Sequence, residues 1–175
     1  MLPATVPRYD LPKAAPEPLR QVQLLINSCD VHNQVEWLPD WLAERGLGAS
    51  ELERARALRE ALRALVLANN GFPPDDGAVA AVNVAAKRLS LRLDGPGKLT
   101  VSADGDPIDE VLVVALQAML DGTWGRLKAC RNCSWSFHDY SPNRSASWCS
   151  MQICGNRTKT RAYRRRKGSN TADPE

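Results

Sequence analysis

Four of the five cysteines in this 175-residue chain lie in its last 46 residues as two close pairs, Cys130 with Cys133 and Cys149 with Cys154. A two-residue gap lets a tight turn aim two thiolates at one point. The fifteen residues between the pairs are enough for a hairpin that returns the second pair to the first. Four thiolates set tetrahedrally, with sulfur about 2.3 Å from the ion, make a closed structural Zn²⁺ site. A redox CxxC would leave Cys149 and Cys154 without a role. An odd cysteine count with no secretory leader also argues against a disulfide framework. His138 is the alternative ligand, although four cysteines already complete the site. Cys29 stands apart, and its type and position assign it no role.

The second pair constrains its own backbone. Five residues along an ideal helix carry a side chain through a net turn of about 140°, too divergent for two sulfurs to share one ion. The spacing therefore predicts a turn or short helical piece over Ser150–Ile153, with a longer helix beginning near Gly155. Four thiolates around one divalent ion leave a net negative charge. Helix amides and the nearby Arg131 and Arg157 are the expected compensation.

The second chemistry-bearing group is cationic. Residues 1–129 hold 14 Lys+Arg against 17 Asp+Glu, whereas residues 130–175 hold nine against three. No acidic residue lies between Tyr140 and Ala172. On a helix, Arg157, Arg161, Arg164 and Arg165 fall within an arc of about 100°. Lys159, Arg166 and Lys167 widen the positive surface. A helix of this kind can dock on phosphates and enter a major groove, so DNA is the expected partner. The plainer reading is a solvated cationic face, part of it answering the zinc thiolates. Asn156 reads as a helix cap and Arg157 as a zinc-neighbouring or packing residue. Trp135, Phe137 and Trp148, with Tyr163, read as the small core of the metal module.

The elements that must carry these groups read as follows. Residues 1–18, with five prolines, form a flexible arm. Val22, Leu24, Leu25 and Ile26 make a short buried strand or helix. A helix spans Pro39–Glu44, with Trp37, Trp41 and Leu42 inward. Ser50 and Glu53 form a capping box for a helix whose apolar face is Leu52, Ala55, Leu58, Leu62, Leu65 and Val66. Asn69-Asn70-Gly71 ends it. Asp76 caps a helix with Val79, Val82 and Ala86 inward. The period then changes: Leu89, Leu91 and Leu93, and Leu99 and Val101, alternate with polar residues around Asp94-Gly-Pro-Gly97, which predicts a β-hairpin. Asp106 caps a helix with Pro107 at its first position and Ile108, Val111, Leu112, Ala115, Leu116 and Met119 inward. The fold class is α+β. A mainly helical domain with a β-hairpin spans 19–125. A treble-clef-like zinc finger with four cysteine ligands, ending in a basic helix, spans 126–168. A disordered tail spans 169–175.

Cys130-Arg-Asn-Cys133-Ser-Trp135-Ser-Phe137-His-Asp139, Trp148-Cys149-Ser150-Met151 and Cys154-Gly155-Asn156-Arg157 resemble the CGNR zinc finger. Asn27 after an apolar run, Trp41-Leu42 and Leu58-Arg59-Glu60-Ala61 resemble the ABATE domain that commonly precedes this finger in bacterial proteins. The resemblance implies a stress-induced bacterial transcription regulator whose finger binds DNA. Independently of it, the chain shows no nucleophile motif, phosphate loop or histidine cluster, so no enzyme is expected. No apolar run suits a membrane span, and the expected location is the cytoplasm. The first domain is expected to sense a small-molecule or protein ligand or to form a homodimer. The alternative function is a zinc-stabilised protein-interaction or RNA-binding module.

Overall fold

The structure, a computed structural model, describes residues 13–160. Helix α1 (Arg20–Ile26) is followed by a two-stranded ribbon, β1 (Cys29–Asp30) and β2 (Val35–Glu36), and by α2 (Leu38–Ala43). The long α3 (Leu52–Ala68) and α4 (Asp76–Ala86) pack together. The hairpin β3 (Ser90–Asp94) and β4 (Lys98–Ser102) leads into α5 (Pro107–Leu120). A last antiparallel pair, β5 (Leu127–Ala129) and β6 (Ser136–His138), precedes a π-helical turn, Met151–Gly155, that runs into regular helix over 156–160. No described helix is long and apolar enough to cross a membrane.

The α+β class is as expected, and the apolar stripes form one core. Val22, Leu25 and Ile26 of α1, Leu38, Trp41 and Leu42 of α2, Leu58, Leu62 and Val66 of α3, and Ile108, Leu112 and Ala115 of α5 are all buried in it. Asp106 caps α5 as expected, accepting from the amides of Ile108 and Asp109 at 2.9 and 3.1 Å.

Several local expectations are corrected. The Ser50–Glu53 capping box does not form. The chain enters α3 through a 3₁₀ turn, Ala49–Glu51, which moves the free amide back to Gly48. The Glu51 carboxylate accepts from that amide at 3.0 Å, while Glu53 pairs with Arg56. Asp75 rather than Asp76 caps α4, accepting from Ala78 N at 2.9 Å. That start leaves Val79 exposed while Val82 is buried. Part of the predicted arm is packed. Residues 13–18 are held against the body: Ala15 is buried, its amide donates to Gln23 Oε1 at 2.6 Å, and Tyr140 Oη donates to Ala14 O at 2.6 Å. The rest of the predicted arm and the 169–175 tail lie outside the described residues.

The boundary drawn at 125/126 cuts through shared packing. Leu127 and Ala129 of β5 belong to the main core. Trp37, read as a residue of the first core, is instead buried with Cys130, Trp135, Phe137, Cys149 and Cys154 in the second. Side chains are thus exchanged in both directions across the boundary, Trp37 to the second core and Leu127 and Ala129 to the first.

Candidate metal centre

The hairpin β5–β6 supplies the first pair of ligands. Cys130 leaves β5 with its amide bonded to Trp135 O at 2.9 Å, and Ser134 N returns to Cys130 O at 2.9 Å. Ser134 sits at φ 58°, the left-handed turn that lets Cys130 and Cys133 face one point. The second pair obeys the predicted break. Ser150 is extended (φ −139°, ψ 126°) and caps the π-helical turn through its hydroxyl, which accepts from Ile153 N at 3.3 Å. Cys149 therefore precedes the helix and Cys154 lies within its first turn. Helical geometry begins at Met151, somewhat before Gly155, because a wide turn closed by Gly155 N to Ser150 O (3.1 Å) brings the two sulfurs together.

All four sulfurs lie within 4.8 Å of one another. Cys133–Cys149, Cys149–Cys154 and Cys154–Cys133 are separated by 3.6, 3.7 and 3.6 Å. A sulfur tetrahedron with Zn–S of about 2.3 Å has edges of about 3.8 Å, so the donor set fits one zinc ion, with Cys130, Cys133, Cys149 and Cys154 holding it. The thiols also cannot all ionise unaided. Hydrogen bonds from Cys133 and Cys149 hold the Cys130 thiol far below its ordinary value. Sharing with Cys130 pushes Cys133 up to about 12, and Cys149 is raised by the same neighbours and by burial. A divalent cation removes that conflict by binding all four as thiolates.

The surroundings differ from expectation in two respects. Arg131 turns away from the sulfurs and donates Nε to Asn70 O at 2.7 Å. Arg157 is exposed, with Nη1 3.3 Å from His32 Nε2. A side-chain donor beside the sulfurs is instead Asn132, whose Nδ2 lies 3.5 Å from Cys154 Sγ, and backbone amides of Asn132 and Cys149 bond to Cys130. His138 is not among the metal-competent ligands. It is buried against Tyr140, with ring centroids 4.4 Å apart, and burial followed by Arg126 lowers its pKa. Lys159 is exposed on the helix over 156–160. Arg161, Arg164, Arg165, Arg166, Lys167 and Tyr163 lie outside the described residues. Cys29 is half-buried on β1 and burial raises its pKa.

Sequence reasoning missed the residues that hold the metal module in place. Asn69 Nδ2 donates to Trp124 O and Leu127 O at 3.0 and 2.9 Å, and Asn70 Nδ2 donates to Ala129 O and Ser147 O at 2.7 and 3.0 Å. Gln23 and Asn27 of the α1 end both donate to Ser136 O at 3.0 Å. Gly71 (φ 85°) leaves room for Arg131 to lie across the end of α3; a Cβ there would meet Arg131 Nη2 at 2.6 Å. Asn69-Asn70-Gly71 does terminate α3, as expected, but its side chains also bind β5.

The loop between the two cysteine pairs is organised from beneath. Lys128 Nζ and Asp139 Oδ2, 2.8 Å apart, are a buried ion pair. Asp139 also accepts from Ser141 N, Ser141 Oγ and Ala146 N at 2.9, 2.6 and 3.0 Å. Burial pushes this carboxyl up, but Lys128 and Ser141 outweigh it and hold it at about 2.

Comparison with known families agrees with this geometry. The model for the CGNR zinc finger matches residues 126–167, and the ABATE model, described as "Putative stress-induced transcription regulator", matches residues 25–122. No curated protein matches the chain.

Proposed function

Because the chain belongs to the ABATE family and closes with a CGNR zinc finger, we propose that it is a transcription regulator that binds DNA through the helix starting at the zinc site. The observation that carries this reading is the seating of that helix. Cys154 anchors its first turn, so the zinc fixes its direction, and the exposed Arg157 and Lys159 open a run continuing in sequence through Arg161, Arg164, Arg165, Arg166 and Lys167. The acidic balance of residues 1–129 supports a division of labour in which the metal module meets the polyanion. The zinc has a positional role: four cysteine ligands leave no open coordination place for a substrate, which supports a non-enzymatic reading. The ABATE domain would supply the regulatory input, by ligand or by self-association.

The test is binding of duplex DNA, over a series of salt concentrations, by wild type and by an Arg161→Ala/Arg164→Ala/Arg165→Ala variant. Equal, salt-insensitive binding by both would sink the proposal. Competition by single-stranded RNA that displaces the duplex completely would transfer the reading to RNA.

A further inference from the structure

The hairpin β3–β4 sorts its side chains cleanly. Leu91 pairs with Val101 and Leu93 with Leu99, so these four share one face, while Ser90, Arg92, Thr100 and Ser102 take the other. A hairpin face this apolar ordinarily packs on a core. Here it does so only at its base, where Leu89 lies against the main core and β4 touches α5. Beyond that, Leu91, Leu93 and Leu99 are 69, 74 and 62 % exposed, and Val84, in the last turn of α4 before the hairpin, is 64 % exposed.

We propose that this face is a homodimer interface, in which the leucine face of one hairpin packs on the same face of a second copy about a two-fold axis. Two observations select that occupant. The first is area. Leu91, Leu93 and Leu99 alone present on the order of 400 Å² of apolar surface, within the range of the largest patch on an ordinary monomer. Two copies bring together about 800 Å² from these leucines, and the residues around them carry the contact to the roughly 1,000 Å² of a specific interface. The second is charge. Residues 87–109, which carry the hairpin and both its junctions, hold four Lys+Arg and four Asp+Glu. The charges of this segment also pair among themselves: Arg92 Nη2 lies 2.6 Å from Asp104 Oδ1, and Arg88 Nε lies 2.6 Å from Asp109 Oδ2. A two-fold contact sets a surface against itself, so it tolerates a neutral, mixed-sign surface and is opposed by a single-sign one. The strongly basic C-terminal region fails that condition, and the hairpin meets it. Hairpin dimerisation would also leave the zinc module free, since that module is held by α1 and the end of α3. The inference does not depend on DNA being the partner.

The experiment is sedimentation equilibrium of the zinc-loaded full chain from micromolar to near-millimolar concentration. Wild type is expected to show the mass of two chains. Leu93→Glu is expected to weaken dimerisation at least tenfold, because each dimer would bury two carboxylates close to the axis. Leu93→Ser should give a smaller shift in the same direction, and Thr100→Glu, on the polar face, should leave the mass unchanged. Circular dichroism and zinc content verify that each variant is folded. A wild-type chain that stays monomeric throughout, or a folded Leu93→Glu variant that dimerises as wild type does, overturns the proposal.

Discussion

Asn27 and Ser136, 109 residues apart, exchange two hydrogen bonds: Asn27 Nδ2 donates to Ser136 O at 3.0 Å, and Ser136 N donates to Asn27 Oδ1 at 2.8 Å. The amide side chain thus does for β6 what a neighbouring strand would do, and it ties the end of α1 to the hairpin that carries the first two zinc ligands. Both partners are buried, so neither backbone group has water to fall back on.

Asn27→Ala should therefore destabilise the chain by about 2 kcal/mol, the cost of stranding the buried Ser136 amide, while Ser136 O keeps its bond from Gln23. Asn27→Asp should cost more, since the carboxylate cannot donate to Ser136 O. Urea unfolding of the zinc-loaded protein measures both. A loss within experimental error for Asn27→Ala would show that the side-chain bridge contributes nothing.

Zinc removal should affect more than the metal module. Trp37 belongs to the first domain yet is buried in the same cluster as Cys130, Cys149 and Cys154, so chelation should change its fluorescence as well as that of Trp135 and Trp148. Cys149→Ser should lose bound zinc, expected at one ion per wild-type chain by elemental analysis. It should also lower the stability of the whole chain by several kcal/mol, because metal binding at a structural site is folding free energy. A Trp135→Phe/Trp148→Phe variant whose fluorescence ignores chelation would separate Trp37 from the site.

Acid should act through Asp139 in a defined direction. Its carboxyl is held at about 2 in the folded chain against an ordinary 3.8. A depressed folded value means that its stabilisation, about 2 kcal/mol, is fully present above pH 4 and is lost as pH falls toward 2. Asn at 139 lacks this titration. The stability gap between wild type and Asp139→Asn should accordingly be widest at neutral pH and close between about pH 4 and pH 2. Denaturant unfolding across that range checks it; a gap that widens with acid contradicts the assignment.

Arg59, 3 % exposed, lies against both Glu36 oxygens at 2.5 and 2.9 Å and also against Glu60. Burial pushes the Glu36 carboxyl up, and the Arg59 guanidinium more than reverses that. Glu36→Ala should cost about 2 kcal/mol, less than a fully buried pair because Glu60 remains. The combined Arg59→Met/Glu36→Leu variant should recover most of the loss. Thermal melts of the single and double variants compare the two.

If the basic helix meets duplex phosphates, the Arg161→Ala/Arg164→Ala/Arg165→Ala variant should lower the slope of log K against log salt by about 2–3, close to one for each phosphate no longer neutralised. A weaker affinity with an unchanged slope would instead point to altered folding of the helix.

What could be read from the sequence was whatever depends on local spacing and residue type. The zinc site was legible because ligand chemistry demands four cysteines at a recognisable interval. The break between Cys149 and Cys154 was legible because helix geometry forbids the alternative. The stripes of α3 and α5 and the hairpin were legible from their periods. The tertiary structure alone decided how the two parts are joined. Asn27, Asn69 and Asn70 look like residues that end an element and Gln23 sits inside a short apolar one, and nothing local shows that their amides pair with backbone more than fifty residues away. Trp37 and Leu127 are equally apolar by type, and which core each enters depends on what the rest of the chain leaves unburied. The hairpin leucines make the same point in reverse: alternation predicts an apolar face, and only the packed structure shows that most of it remains uncovered.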